Sequence, residues 1–285
     1  MPRALIAGCG YLGRAVADLL TANGWEIEGW TMSAESAREL SLAGYSAHNV
    51  NISNEKDVGA HKSRFDTVIH CASTRGGDVD AYRSVYFNGA RNLLEHFGDA
   101  PLLFISSTSV YAQTMAEWVS EESPAEPKHE TGKILRESED LVLGSNGTVV
   151  RLAGLYGPGR SALLRKFLSG EARLDPENDR FMNQIHRDDV ASALQFLLGA
   201  GSVGQIYNLA DNQPTLLSEC YRWLATKLNR PLPAVEKSQS KRKRGDSNKR
   251  VSNGKLRTLG WVPRYPTFAD GMENIVLQTM VGDDL

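Results

Sequence analysis

Gly8-Cys9-Gly10-Tyr11-Leu12-Gly13 is the stretch on which the reading of this chain turns. It follows a short apolar run at residues 3–7 and precedes Leu12, Val16, Leu19 and Leu20 at helical spacing, so it lies between a strand and a helix. Each glycine then has a physical task. Gly8 permits the tight turn, Gly10 lets backbone approach a pyrophosphate, and Gly13 allows close packing of helix on strand, with the phosphates at the helix N-terminus. The six residues together are expected to hold a dinucleotide. At the end of the second strand, folds that read the ribose 2′-hydroxyl carry Asp or Glu. Gly29-Trp30-Thr31-Met32-Ser33 has no carboxylate, so Thr31 and Ser33, with Arg38, are expected to face a 2′-phosphate. NADP is therefore favoured and NAD is the alternative.

Outward from this turn the chain alternates. Strands are predicted at residues 25–31, 46–50, 65–71, 102–106 and 148–152, and helices at 34–43, 78–96 and 130–143, with Asp78 as a cap and Asn146-Gly147 as a turn. Strands that are apolar throughout, separated by helices, indicate a parallel sheet covered on both faces. The class is α/β, a doubly wound parallel Rossmann sheet with a small C-terminal substrate-binding region. Residues 1–154 are expected to form the dinucleotide-binding domain. Residues 155–285 are expected to complete the sheet at about 180–210 and to form the smaller part, with a helix at 216–228.

Composition sets limits around that reading. The chain has 285 residues, 41% hydrophobic and 23% charged, with 32 basic and 34 acidic side chains and a net charge of −2, which excludes disorder and a generally polybasic nucleic-acid binder. Cys9, Cys71 and Cys220 are too few and too scattered for a disulfide framework or a zinc site, so a reducing cytoplasm is the natural setting. Apolar runs fall short of the ~20 residues that span a bilayer, and no signal peptide is read at the N-terminus, so no membrane is expected. Residues 237–250 carry seven basic side chains, against Asp246 alone, and read as a mobile surface loop rather than a phosphate-binding arm. Without aromatic interleaving they predict no nucleic-acid partner.

Several segments, in order, resemble the extended and atypical short-chain dehydrogenase/reductases, the NAD(P)-dependent epimerase/dehydratase group. Besides the first turn these are Asn51-Ile52, residues 65–72 (FDTVIHCA), 106–111 (SSTSVY), 151–159 (RLAGLYGPG), 185–191 (IHRDDVA) and 205–211 (QIYNLAD). The resemblance implies that Asn51, Ile52, Cys71, Ala72 and Ser73 line the adenosine and pyrophosphate side, and that Ala153 and Leu155 lie near the nicotinamide. It implies a homodimer through the helices that begin at Asp78 and Glu130. Family chemistry uses a Ser or Thr to hold the reacting oxygen, a Tyr as acid/base, and a Lys four residues later that binds the nicotinamide ribose. Ser107 aligns with the first and Lys133 with the third, but the Tyr position is His129, and a helix position that usually holds Asn is Tyr86.

His129 has two readings: an imidazole that relays a proton near neutral pH, or a plain helix-start residue in a polar segment. Tyr111 is read as structural. His186 and Asp188, two apart and without a third ligand, read as a fold-stabilising turn, and no metal site is expected. The resemblance implies an oxidoreductase or epimerase/dehydratase-like enzyme acting on a carbonyl or hydroxyl compound. A nucleotide sugar would call on Arg160, Arg165 and Arg187 for its diphosphate. The alternative is a catalytically inactive NADP(H)-binding sensor or regulatory protein.

Overall fold

Seven strands form one parallel sheet; the inner ones are short, apolar and buried, while the edge strand Ser46–Asn49 is polar and partly exposed. The computed structural model describes residues 1–74, 76–145, 147–200, 203–236 and 247–273. The strands are β1 (Arg3–Ala7), β2 (Glu26–Thr31), β3 (Ser46–Asn49), β4 (Thr67–His70), β5 (Leu102–Ser107), β6 (Thr148–Leu152) and β7 (Ile206–Leu209). Their spatial order is β7-β6-β5-β4-β1-β2-β3, the doubly wound order in which the chain reverses direction of travel between β1 and β4. In register, Leu5 lies beside Glu28 and Val68, and Trp30 beside His48. The predicted α/β class and doubly wound Rossmann architecture are observed.

The helices are α1 (Tyr11–Ala22), α2 (Ala34–Leu42), α3 (Glu55–Gly59), α4 (Val79–Tyr82), α5 (Gly89–Phe97), α6 (Glu130–Gly144) and α7 (Arg187–Ala200). In α1 the buried side chains Leu12, Val16 and Leu20 recur every four residues, giving one apolar stripe toward the sheet. Ser33 and Asn54 cap α2 and α3 by accepting from Ser36 N–H at 3.2 Å and Lys56 N–H at 3.0 Å. Asp78 caps α4 as predicted, accepting from Ala81 N–H at 2.9 Å.

The single helix predicted for 78–96 is instead interrupted. Residues Arg83–Asn88 form a π-helical segment between α4 and α5. Such widening re-aims side chains, and the ring of fully buried His70 fills it from the sheet: its Nε2–H donates to Val85 O at 3.0 Å. Tyr86 stacks over the same ring at 6.3 Å.

Two units divide the chain. The first comprises Met1–Val110, Ala125–Arg151 and Val190–Tyr207; the second comprises Tyr111–Pro124, Leu152–Asp189 and Asn208–Leu285. They interleave, where the sequence reading draws one boundary between residues 154 and 155. The second unit has its own core of Tyr156, Leu164, Phe167, Tyr221, Leu224 and Phe268. Its short strands pair as Gly154–Tyr156 with Gln184–His186, and as Glu117–Val119 with Lys249–Val251. The second pairing corrects the reading of 237–250 as a mobile loop: Lys249 is buried, and its ammonium donates to Tyr111 O at 3.0 Å. The rest of that basic run, 237–246, lies outside the described residues, as does Asn146 of the predicted turn. No helix among the described residues is long and apolar enough to cross a membrane.

One ionic cluster lies inside the first unit. Glu139 on α6 and Arg151 on β6 are both fully buried, joined by Arg151 Nη2 to Glu139 Oε2 at 2.7 Å and Nε to Oε1 at 3.1 Å. Ser106 Oγ on β5 donates to Glu139 Oε1 at 2.5 Å, and Arg136 on α6 also donates to Glu139. Removing one partner of such a pair strands the other charge in low dielectric. Glu139→Ala is therefore expected to lower the urea-derived unfolding free energy by about 3–5 kcal/mol, well beyond an exposed truncation.

Candidate functional site

The crevice at the C-terminal ends of β1 and β4, where an α/β sheet of this order takes its ligands, is built from the glycine turn and the segment after β4. Gly8 has φ +90°, a conformation that L side chains rarely adopt. A Cβ there would stand 2.3 Å from Ala72 N, so the two segments touch backbone to backbone. Gly8 and Cys9 N–H both donate to Trp30 O, at 3.0 and 2.8 Å, and Cys71 N–H donates to Ala7 O at 2.7 Å. Gly13 presses its Cα against Gly8, where a Cβ would come 2.6 Å from Gly8 O. Gly10 differs: its missing Cβ faces open space, and as N-cap of α1 it offers no side chain to the first helical N–H groups.

That open, uncapped helix start is a positive dipole end with backbone donors, the environment a pyrophosphate fits. The residues present thus suit a dinucleotide. Burial pushes the Cys9 thiol up to about 12 and also raises that of Cys71, so neither is a thiolate at neutral pH.

The positions expected to line the adenosine are less open than the sequence implies. Thr31 is buried, and its hydroxyl donates to Ser33 O at 3.0 Å, while Ser33 Oγ is engaged in capping α2 and donates to Ser36 Oγ. Arg38 is exposed. Asn51 Oδ1 accepts from Ser53 N–H at 3.1 Å, and Ile52 is buried against Gly89, its carbonyl taking Asn92 Nδ2–H at 2.9 Å. Ser73 is exposed and Ala72 half-buried.

Ser107 ends β5, half-buried, with its Oγ accepting from Ser109 N–H at 3.2 Å. His129 is the exposed N-cap of α6, and its side chain makes no capping bond. Lys133 lies one turn on, exposed, its ammonium 2.6 Å from Glu130 Oε1. Helix α6 packs against β5, so Ser107 and Lys133 stand on neighbouring elements. The π segment packs on the same helix, and Arg83 spans from it to Glu137 with two bonds of 3.2 and 2.9 Å.

Ala153 and Leu155 belong to the second unit. There Ala153 N–H donates to Leu209 O at 2.9 Å, and Leu155 sits in the strand Gly154–Tyr156. Tyr111 is fully buried, its O–H 2.9 Å from Ser120 O and 2.9 Å from Asn208 Oδ1, which suits its structural reading. His186 is buried and its Nδ1 accepts from Asp188 N–H at 3.2 Å, a turn built on the ring. Asp189 pins the chain at Arg264 and Tyr265, accepting their N–H groups at 2.7 and 3.0 Å, and its burial raises its carboxyl to about 6. Arg160 and Arg165 are exposed, and Arg187 pairs with Asp188 at 2.9 Å.

The sequence reading did not single out Glu139, Arg151 or His70. The signal was there for two of them: a carboxylate among the inward residues Leu135, Ser138 and Val142, and an arginine in the apolar strand TVVRL.

The sequence profile of the NAD dependent epimerase/dehydratase family matches residues 4–210. Protein YeeZ of Escherichia coli strain K12 is 30% identical over 220 residues, covering 73% of this chain and 77% of its own. A structure from Methylobacillus flagellatus, provisionally named an NAD-dependent epimerase/dehydratase, is 29% identical with a TM-score of 0.80, covering 98% of this chain and 99% of its own. The UDP-glucose 4-epimerase of Thermus thermophilus, solved with NAD, has the same fold at 21% identity, with a TM-score of 0.82 over 99% of each chain.

Two outcomes follow from the geometry. Gly10→Ala meets no protein atom, so its thermal midpoint is expected within a few degrees of wild type while dinucleotide affinity by calorimetry falls at least about tenfold. Gly8→Ala, strained and clashing, is expected to lose stability as well. Separately, burial lowers His70 to about 4. An unfolded imidazole takes a proton below ~6.5, so this contribution to stability is complete above pH ~6.5 and is lost as pH falls toward 4, by about 3 kcal/mol. His70→Gln is expected to flatten the pH dependence of the urea-derived unfolding free energy by that amount, while His186, shifted the same way, contributes equally to both proteins.

Proposed function

The chain belongs to the NAD dependent epimerase/dehydratase family, and from that premise we propose that it is an NAD(P)-dependent oxidoreductase or epimerase acting on a carbonyl or hydroxyl compound. The observation that carries the reading is the uncapped start of α1, with Gly8 and Gly10, at the β1/β4 switch of the sheet. Gly8 to Gly13 hold the pyrophosphate, Asn51, Ile52 and residues 71–73 the adenosine side, and Ala153 and Leu155 the nicotinamide side. NADP is preferred over NAD because β2 ends without a carboxylate and both Ser33, the N-cap of α2, and Arg38, one turn into that helix, are exposed. When bound, the dinucleotide takes up or returns a hydride.

The chain's own residues supply the rest. Ser107 Oγ accepts from Ser109 N–H, which leaves its O–H to donate to the substrate oxygen. Lys133 orients the ribose hydroxyls, exchanging its solvent-exposed partner Glu130, an ion pair that costs little to break. The proton passes to His129 or to water. For a nucleotide-sugar substrate, Arg160 and Arg165 are the exposed cations that suit a diphosphate. A smaller carbonyl compound is the other candidate.

His129 in the Tyr position, exposed and held by no capping bond, favours a second reading: a sensor that binds NADP(H) and performs no chemistry. One set of measurements separates the two. Calorimetry is expected to give tighter binding of NADPH than NADH, and equal affinities overturn the NADP assignment. With NADPH and a carbonyl panel, turnover that falls about a hundredfold in Ser107→Ala and Lys133→Ala establishes the enzyme. Binding without turnover across the panel establishes the sensor, and absence of dinucleotide binding overturns both. If turnover in His129→Ala keeps the wild-type profile from pH 6 to 8, water carries the proton.

A further inference from the structure

Away from the dinucleotide crevice, three side chains from three elements of the first unit converge at the outer edge of the sheet. Glu28 lies on β2 with Trp30 on the same face, and Trp30 is in register with His48 on β3, so Glu28 and His48 are diagonal neighbours on one face. Helix α3 is anchored by fully buried Val58, and His61 N–H donates back to Val58 O at 3.1 Å. This brings the His61 ring 4.8 Å from the Trp30 ring and 4.9 Å from that of His48.

The donor atoms share one small volume. Glu28 Oε1 is 3.8 Å from His48 Nε2 and 4.0 Å from His61 Nδ1, and the three ligand atoms all lie within 4.8 Å of one another. At those separations none hydrogen-bonds another, since such a bond needs about 2.7–3.2 Å. Three Lewis-basic atoms crowded together without bonding each other are an arrangement a cation resolves. With bonds of about 2.0–2.2 Å, the donors of a tetrahedral site stand about 3.4 Å apart, so the carboxylate closes on each imidazole by roughly half an ångström and the two imidazoles close on each other by up to about 1.4 Å, movements that side-chain rotation supplies. The carboxylate is already oriented, as ligating carboxylates are: Oε1 accepts from Trp30 Nε1–H at 2.9 Å, and Oε2 faces Arg3 Nη2 at 3.8 Å. Glu28 is buried, while His48 is 43% exposed, so the remaining coordination positions open to water.

We propose that Glu28, His48 and His61 bind a divalent transition-metal ion of the zinc class, as a site separate from the dinucleotide crevice. Two imidazoles and one carboxylate favour zinc, cobalt, nickel or copper over magnesium and calcium, which prefer all-oxygen sets. The ion ties β2, β3 and the segment after α3 together at the sheet edge.

The test uses the untagged full-length chain, freed of metal with a chelator and titrated with Zn²⁺ by calorimetry. One Zn²⁺ per chain is expected, with a rise in thermal midpoint that saturates at the same stoichiometry. His48→Gln and His61→Gln are each expected to weaken binding at least about tenfold, and the double variant to abolish it, while His96→Gln on α5 binds as wild type. In the wild-type chain, Co²⁺ is expected to shift the His48 and His61 imidazole resonances first, a readout that needs no variant. No saturable Zn²⁺ binding, binding that survives in the folded double variant, or Co²⁺ shifts at other histidines overturns the site. None of these readouts depends on turnover.

Discussion

A carboxylate that cannot leave the core ties α6 to the middle of the sheet in the first unit. Glu139 receives Ser106 from β5, Arg151 from β6 and Arg136 from its own helix, so one charge joins α6 to two adjacent strands. Ser106 is the neighbour of Ser107, and α6 carries His129 and Lys133 at its start. The relative placing of these three positions is therefore set by a buried ionic cluster rather than by apolar contact alone. Apolar packing tolerates sliding of a helix over a sheet; a charge with three fixed donors does not. Arg83, reaching from the π segment to Glu137, braces the exposed side of the same helix.

The glycine turn and the start of α6 are built by different physics. In the glycine turn the constraint is steric: Gly8 and Gly13 are excluded volume, and Gly10 is open volume, within one six-residue stretch. Around α6 the constraint is electrostatic, and it acts through the buried side chains of Glu139 and Arg151. The first kind of constraint dictates residue type at fixed spacing, the second only a set of compatible charges.

That difference explains what could be read in advance. The alternation of strands and helices, the glycine turn and the Asp78 cap rest on local rules, and each was legible in residues a few positions apart. The π segment was not, because Arg83–Asn88 has ordinary helix-forming residues and the widening is filled by His70, more than a dozen positions upstream. Lys249 pairing beside Glu117–Val119 was hidden for another reason: a basic, apolar-free run reads as solvated, yet Tyr111 O gives its ammonium a buried partner. Glu28, His48 and His61 share no sequence spacing at all, and only β2–β3 register and the anchoring of α3 bring them together. Thr31 and Ser33 were legible as residues but not as bonds, since both hydroxyls are already engaged locally.

The interleaving of the two units has a consequence for how the chain is made. Strands β1 to β5 are made before residue 108, whereas β6 follows about 40 residues later, after Tyr111–Pro124 of the other unit and α6, and β7 follows only after the Leu152–Asp189 segment of the other unit and α7. At about 5–20 residues per second, the inner edge of β5 stays without its neighbour for several seconds, and the sheet is not closed by β7 for on the order of ten seconds. An unpaired central strand as apolar as LLFISS is an invitation to wrong pairing during that interval. The stretch of synthesis between residues 108 and 206 is therefore the interval in which the growing sheet is most exposed to mispairing.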